Sequence, residues 1–377
     1  MNEAKPPTNG TRRIRDAIVM SGWTWEAANT PERVVLALAH LGARVLYCEN
    51  PVSRFRGGGR PITAIVPGVY RLLPEFLGHR LNLLPVGFRQ LQAKMIAAQV
   101  LENVAKINLR EPLFIYPQGD FFVPLCREFK RRGFPLVHSC FDYPEPGQER
   151  HIELSDVTLT LSKTIFHQLT AKHGRKIALI PEVRWLSQSG GAVSKAEDSK
   201  EFAAIPRPRL GYMGVPADRL NLGIVERLLI TKPAWQFVHF GDSKCLALPN
   251  VHAIAWRKPE DLNGVIANLD VGFMPYDCHS NKNFHCMPLK VFDYFLAGLP
   301  IVSTPIVNLW EYSDTIYFGD DAEQLGRAVQ SALDEPADSP LRAKRVAIGR
   351  ENSIEALASV LADVLASRAK TSQVAAK

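Results

Sequence analysis

The chain of 377 residues is 46% hydrophobic and 22% charged, ordinary globular composition, which excludes disordered, collagen-like and disulfide-scaffold classes and leaves room for two domains. No apolar run approaches the roughly 18–20 residues that span a bilayer, and the first fifteen residues lead into an apolar stretch with no cleavage-like site, so neither a spanning helix nor a signal peptide is expected. The net charge of +7 is unevenly spread: residues 1–188 carry 25 basic and 16 acidic side chains, residues 189–377 carry 20 and 22.

In chain order, residues 16–22 (DAIVMSG) predict a first strand. Thr30 suits an N-cap and Pro31 the first helical position; Val34, Val35, Leu38 and Leu41 then share a helical face until Gly42 stops the helix. Strands are expected at 44–48, 113–116, 135–141, 156–161 and 176–180, with helices at 93–106, 123–132 and 163–173. Residues 187–200 (SQSGGAVSKAEDSK) are polar and without period, a linker. The alternation restarts with strands at 209–213, 235–240, 251–255, 271–276, 300–303 and 316–318, and helices at 222–231, 260–268, 288–297 and 322–333. One last helical stretch covers 341–369. This alternation predicts an α/β chain with two Rossmann-like parallel-sheet domains facing a cleft, at 1–187 and 206–340, joined by a linker at 188–205 and followed by a helical segment at 341–377. Neither GxxxxGK[ST] nor GxGxxG occurs, which disfavours an ATPase or a dehydrogenase.

The most specific segment runs from Met287 to Pro300 (MPLKVFDYFLAGLP). Pro288 suits a first helical turn, where exposed N–H groups and the macrodipole favour an anion, and Lys290 in that turn adds a full charge for a diphosphate. Asp293 lies three residues on, and its carboxylate can accept two hydrogen bonds from a vicinal diol such as ribose. Together these residues describe a nucleoside-diphosphate site; a Lys–Asp pair on a surface helix has the same spacing.

Residues 290–303 resemble the K-x-x-E-Y-L-A-x-G-x-P-V-V-S signature of GT-B glycosyltransferases, particularly the large retaining family numbered four, and are similar to the membrane-associated glucuronosyltransferases of xanthan-type polysaccharide synthesis. Residues 209–214 resemble the first strand and glycine turn of the donor domain, and 250–276 the strand before the donor loop. Residues 31–51 resemble a P-x-R…LA-x-x-G-x-x-V-x-Y-x-x-P opening. The resemblance implies a GT-B fold whose C-terminal helix packs back toward an acceptor-binding N-terminal domain, with residues 206–340 binding the donor. It implies that Lys290, with Pro288 and Leu289, contacts the donor diphosphate and Asp293 the ribose, that Gly214 allows close approach of the donor, and that Arg219 or Arg257 adds positive charge there; Tyr276 and His285 complete the expected donor-binding set. The retaining family's E-x7-E pair is here His285 and Asp293, and its P-N-G-V-D turn is here 181–185 (PEVRW).

For a general base, Asp142 stands after the strand 135–141, where the inverting glucuronosyltransferases place an acid in a similar segment; Asp120, after Gly119, is second. Asp142 as the cap of the turn before Pro144 is the competing role. With inversion, Asp142 takes the acceptor proton while Lys290 stabilises the departing diphosphate; with retention, the leaving phosphate assists and Asp142 positions substrate.

The expected activity is sugar transfer from a nucleoside-diphosphate sugar to an acceptor hydroxyl in cell-surface polysaccharide or glycolipid synthesis. The alternative is a catalytically degenerate GT-B protein that binds a nucleotide sugar or a partner enzyme; a nucleotide-sugar epimerase is a third. No metal or other cofactor is expected, because Lys290 and a helix start can neutralise the diphosphate. Cys278-His279 and His285-Cys286 invite a zinc site but lack CxxC spacing. Six cysteines without CxxC point to reduced thiols and a cytoplasmic protein.

Between 51 and 100, seven basic residues meet one acid, Glu75. Residues 54–60 (RFRGGGR) suit an anion cradle or a loop. The apolar stretch from Val69 to Phe88, flanked by Arg71, Arg80 and Arg89, suits either an anionic bilayer at the inner face of the cell membrane or core packing. Nucleic acid is not expected, since no recognised module is present. Trp23 and Trp25 follow the first strand and suit either an acceptor wall or packing.

Overall fold

The computed structural model describes residues 16–25, 29–53, 61–77, 86–144, 147–184, 201–214, 216, 219–258 and 261–374. The first fifteen residues, the basic segment 54–60, Arg80 and the expected linker up to residue 200 lie outside them.

The N-terminal half runs β1 (Ala17–Met20), α1 (Thr30–His40), β2 (Val45–Cys48), β3 (Val52–Ser53), β4 (Thr63–Val66), β5 (Val69–Leu72), β6 (Glu75–Phe76), α2 (Val86–Lys106), β7 (Leu113–Pro117), α3 (Phe122–Arg131), β8 (Leu136–Cys140), α4 (Gln148–Leu154), β9 (Val157–Thr160), α5 (Lys163–His173) and β10 (Ile177–Leu179). Its sheet has the order β10-β9-β8-β7-β1-β2-β5-β4, parallel except for β4 against β5. All four residues of β1 and of β2 are buried, as strands covered on both faces must be. β5 therefore settles the core alternative for Val69 and Leu72: it pairs with β2. The period-2 signal of β4–β6 is too short to have predicted these strands from sequence.

The C-terminal half runs β11 (Arg209–Tyr212), α6 (Leu222–Thr231), β12 (Gln236–Phe240), β13 (Val251–Ile254), α7 (Leu262–Ala267), β14 (Val271–Met274), α8 (Asn281–Phe284), α9 (Val291–Leu296), β15 (Ile301–Ser303), β16 (Ile316–Phe318), α10 (Ala322–Leu333), α11 (Pro340–Glu351) and α12 (Ile354–Val374). Its sheet, β13-β12-β11-β14-β15-β16, is wholly parallel. In each sheet the chain leaves the central strand first to one side and then to the other. The switch points lie between β1 and β7 and between β11 and β14, where a parallel sheet opens a crevice at its carboxyl end.

α2 starts at Val86, seven residues before the expected 93, and three further expectations differ at their ends or within. The N-cap of α1 is Asn29, whose Oδ1 accepts the Glu32 N–H at 3.2 Å, and Thr30 is already helical. The helix expected at 288–297 is regular only over α9: Val291 N–H makes a long i−3 bond to Pro288 O (3.3 Å), and i−4 bonding starts with Tyr294 N–H to Lys290 O (3.0 Å). The single stretch 341–369 is two helices, broken at Asn352 and restarted where Ser353 Oγ accepts the Ala356 N–H at 3.3 Å.

The last helix returns to the N-terminal half, where Leu357, Ala358 and Leu361 are buried with Val34, Val35 and Leu38 of α1. Before it, α11 crosses α9 so closely that a Cβ on Gly349 would stand 2.3 Å from Leu296 N and 2.5 Å from its Cα. No side chain fits there without parting the helices. Gly349→Ala is expected to cost about 1–3 kcal/mol and to lower the melting temperature. Gly264→Ala in α7, which meets nothing within 4 Å, is expected to be neutral or stabilising in the same thermal melt.

Candidate active site

A cavity of about 520 Å³ lies between the carboxyl ends of the two sheets. The N-terminal half contributes the residues just past its strands: Gly22 and Trp23 after β1, Pro117 and Gln118 at the end of β7, Ser139 and Asp142 at the end of β8. The C-terminal half contributes Tyr212 from the end of β11, Tyr276 after β14, Arg219, and the loop Cys286–Met287–Pro288–Leu289–Lys290 ahead of α9.

Lys290 is the focus of the C-terminal wall. Its Nζ donates to Tyr276 Oη at 3.0 Å and sits 4.2 Å from the centre of the Tyr212 ring and 5.5 Å from that of Tyr276. Two aromatic faces thus hold the ammonium by cation–π attraction at the cavity wall. Burial, and then the neighbouring Tyr212, pushes the Tyr276 hydroxyl well above its usual pKa, so it stays a neutral partner. Tyr294 on α9 pins this wall to β11 by donating to Gly211 O at 2.9 Å and accepting Met213 N–H at 2.8 Å. The Cys286 thiol lines the same wall, and burial pushes it up to about 12 against the pull of Arg219 and Lys290.

Asp142 faces this wall from the other half. Its Oδ1 accepts from Arg219 Nη2 at 2.9 Å, and its side chain is 51% exposed. Arg219 also donates to Asn283 Oδ1 at 3.3 Å. The cavity therefore brings together Asp142, Arg219, Tyr276, Pro288, Leu289 and Lys290 of the expected site.

Five expected residues lie elsewhere. Asp120 points away from the cleft, because Gly119 at φ +123° reverses the chain and leaves Gln118 in the cavity. Asp120 lines a separate groove between α2 and α3 with Arg89, Pro124, Arg127 and Arg150. Arg257 is bound to Glu201 and to Ala255 O, outside the cavity. Gly214 does not line it either; a Cβ there would meet the Tyr212 ring at 3.0 Å, so its glycine serves that packing. His285 turns to the N-terminal half: Nδ1 lies 2.9 Å from Thr164 Oγ1, and the ring stacks on Tyr143 at 5.4 Å. Asp293 is buried, with Oδ2 at 3.8 Å from Arg33 Nη2 of α1. It does not line the cavity.

The cysteine–histidine pairs do not converge. Cys278 Sγ donates to Thr304 Oγ1 at 3.4 Å while His285 faces Thr164. Among the described residues, no group of three or more His, Cys, Asp or Glu is placed to hold a metal ion. Trp23 lines the cavity with 61% of its surface exposed, its N–H given to Ser21 Oγ (3.1 Å) and its carbonyl accepting from Tyr47 Oη (3.1 Å). Trp25 packs edge-on against Tyr47 at 5.1 Å.

Against known proteins, no family model matches the chain. The sucrose-phosphate synthase from Thermosynechococcus elongatus superposes with a TM-score of 0.66 at 14% identity, covering 97% of this chain and 100% of that one. An α,α-trehalose-phosphate synthase (UDP-forming) from Burkholderia vietnamiensis superposes with a TM-score of 0.67 at 14% identity, covering 96% and 99%. The fold is GT-B. In sequence, 158 residues are 26% identical to TuaH of Bacillus subtilis (strain 168), whose name assigns it to teichuronic acid biosynthesis as a glycosyltransferase. That match spans 37% of this chain and 38% of the relative.

Behind the strand that ends at Asp142, His138 and His151 stack at 5.2 Å, both buried. Burial, and then His151, lowers His138 to about 3; burial lowers His151 against the opposing pull of Asp120. The folded protein keeps both rings neutral, whereas the unfolded chain protonates them below an ordinary histidine pKa of about 6.5. Stability from this pair is therefore complete above that pH and is lost as pH falls from about 6.5 toward 3. Melting temperatures measured between pH 8 and pH 4.5 should fall on acidification, and His138→Phe should flatten that slope.

Proposed function

We propose that this chain is a glycosyltransferase that moves a sugar from a nucleoside-diphosphate sugar to an acceptor hydroxyl in the assembly of a cell-surface polysaccharide or glycolipid. The observation that carries this reading is Lys290, held between Tyr212 and Tyr276 at a cavity wall and facing a carboxylate at the end of β8. The UDP-forming enzyme among the structures of similar fold and the polysaccharide pathway in the relative's name support it.

Lys290 and Arg219 supply two positive charges for the donor diphosphate, so the reading requires no metal. Arg219 is engaged by Asp142. A diphosphate competes for that guanidinium, and its arrival frees the Asp142 carboxylate beside the acceptor. Asp142 then takes the acceptor hydroxyl proton, and the acceptor oxygen bonds to the anomeric carbon. The bond from that carbon to the diphosphate oxygen breaks, its electron pair leaving with the diphosphate, which Lys290 and Arg219 stabilise. In a retaining course the leaving phosphate takes the acceptor proton instead.

The acceptor is read as membrane-borne. Phe88 and Leu91 on the first turns of α2 are 45% and 46% exposed, and Arg89, Lys94, Arg127 and Arg150 surround the adjoining groove. Apolar side chains ringed by cations suit an anionic lipid surface. No helix among the described residues is long and apolar enough to cross a membrane.

Calorimetry with UDP, GDP, ADP, TDP and CDP is expected to find one that binds, with Lys290→Ala weakening it about 10–100-fold, as loss of a charged hydrogen bond does. Asp142→Asn should keep or strengthen that affinity, since it removes the competitor for Arg219, and lose about 100-fold or more in turnover, in buffer containing EDTA. Absence of binding by all five nucleotides sinks the reading, and binding without turnover on any saccharide acceptor favours the degenerate binding module. Co-sedimentation with vesicles of 70% phosphatidylcholine and 30% phosphatidylglycerol should retain the wild type and release Phe88→Ser/Leu91→Ser.

A further inference from the structure

The arginine of the P-x-R opening has no part in the cavity chemistry, yet Arg33 is almost fully buried at the boundary between the two halves. Its Nη1 donates to Glu182 Oε1 at 3.0 Å, and its Nη2 lies 3.8 Å from Asp293 Oδ2; the three side chains are at most 3% exposed. Glu182 also accepts from Thr30 Oγ1 and from Val183 N–H, both at 3.0 Å. Arg184, itself buried, adds a second positive charge felt by Asp293. Arg184 also feels Glu355 of α12, ahead of Asp293, so the enclosed charges alternate in sign, and Asp293 is the C-terminal half's partner for Arg33.

Buried charges are tolerated when each has its partner, and removing one partner leaves the other stranded. The two halves are therefore stable in the relative placement that closes the Arg33–Asp293 contact. Asp293 is also one helical turn past Lys290, joined to it by the backbone of α9. A displacement of Asp293 moves Lys290 with it. The resemblance assigns Asp293 to the ribose, but here its carboxylate is committed to the opposite domain.

We propose that Arg33 is a positioning residue: through Asp293 it sets the orientation of the donor half on the acceptor half and so the place of Lys290 in the cleft. Asp293 serves that contact and does not bind ribose. The consequence for Lys290 rests on the donor-site reading above; the domain contact does not.

The test compares the wild type with Arg33→Lys, Arg33→Met and Asp293→Asn. Ligand-free small-angle X-ray scattering is expected to give a larger radius of gyration for Arg33→Met and Asp293→Asn, with Arg33→Lys intermediate because it keeps the charge but not the two-armed reach. Calorimetry with whichever of UDP, GDP, ADP and CDP binds the wild type is expected to show about tenfold weaker binding in Arg33→Met and Asp293→Asn. The same factor is expected for the 2′-deoxy and 3′-deoxy forms of that nucleotide. Unchanged scattering in folded variants overturns the proposal. So does an Asp293→Asn loss that vanishes with a deoxy nucleotide, since that places the carboxylate on the ribose. Should Arg33→Met fail to fold by circular dichroism, Arg33→Lys and Asp293→Asn carry the comparison. If the wild type binds none of these four nor TDP, the donor reading fails and scattering alone decides the domain contact; if it binds TDP alone, TDP and its 3′-deoxy form make the comparison.

Discussion

A parallel sheet delivers all its strand-end loops to one edge, and everything this molecule brings together depends on two such edges being held face to face. Neither half has a complete cavity alone: Asp142 and Trp23 come from one, Lys290, Tyr276 and Arg219 from the other. Two devices hold the edges opposed. One is apolar, the return of α12 onto α1, which buries Leu357 and Leu361 in the N-terminal core. The other is polar, the enclosed charges around Arg33. Apolar packing is strong but indifferent to small rotations, whereas a buried ion contact is intolerant of them, so the two together give both cohesion and orientation.

The charges of the cavity answer one another across it. Lys290 rests against two tyrosine rings and the Tyr276 hydroxyl, and Asp142 rests against Arg219. Each of these partners is weaker for its cation than a diphosphate would be: an aromatic face is a quadrupole, and the Asp142–Arg219 pair is half open to water, where ion pairs are screened. On the proposed reading, such a site yields its cations to a more highly charged anion.

Much of the site was legible because its chemistry lies close together in the chain. Pro288 and Lys290 stand within three residues of each other and Asp142 just after a strand, and all three line the cavity. Tyr212 had no such signal, since an aromatic residue ending a strand is ordinary core until Lys290 is seen against its ring. Asp120 misled because only the left-handed turn at Gly119 decides which of Gln118 and Asp120 enters the cleft. Asp293 and His285 misled for a different reason. Their partners, Arg33 and Thr164, are more than a hundred residues away in the other half, and no local spacing reports a contact of that range.

The sequence by itself determined the alternation of strands and helices, hence two parallel sheets, because burial on both faces and capping are written in runs of a few residues. It singled out the turn at Lys290 for the same reason. Only the tertiary structure decided which charged side chains face the cavity and which are spent joining the halves. That choice turns on the rotation of one domain against the other, and side chains that are distant in the chain and buried together set it.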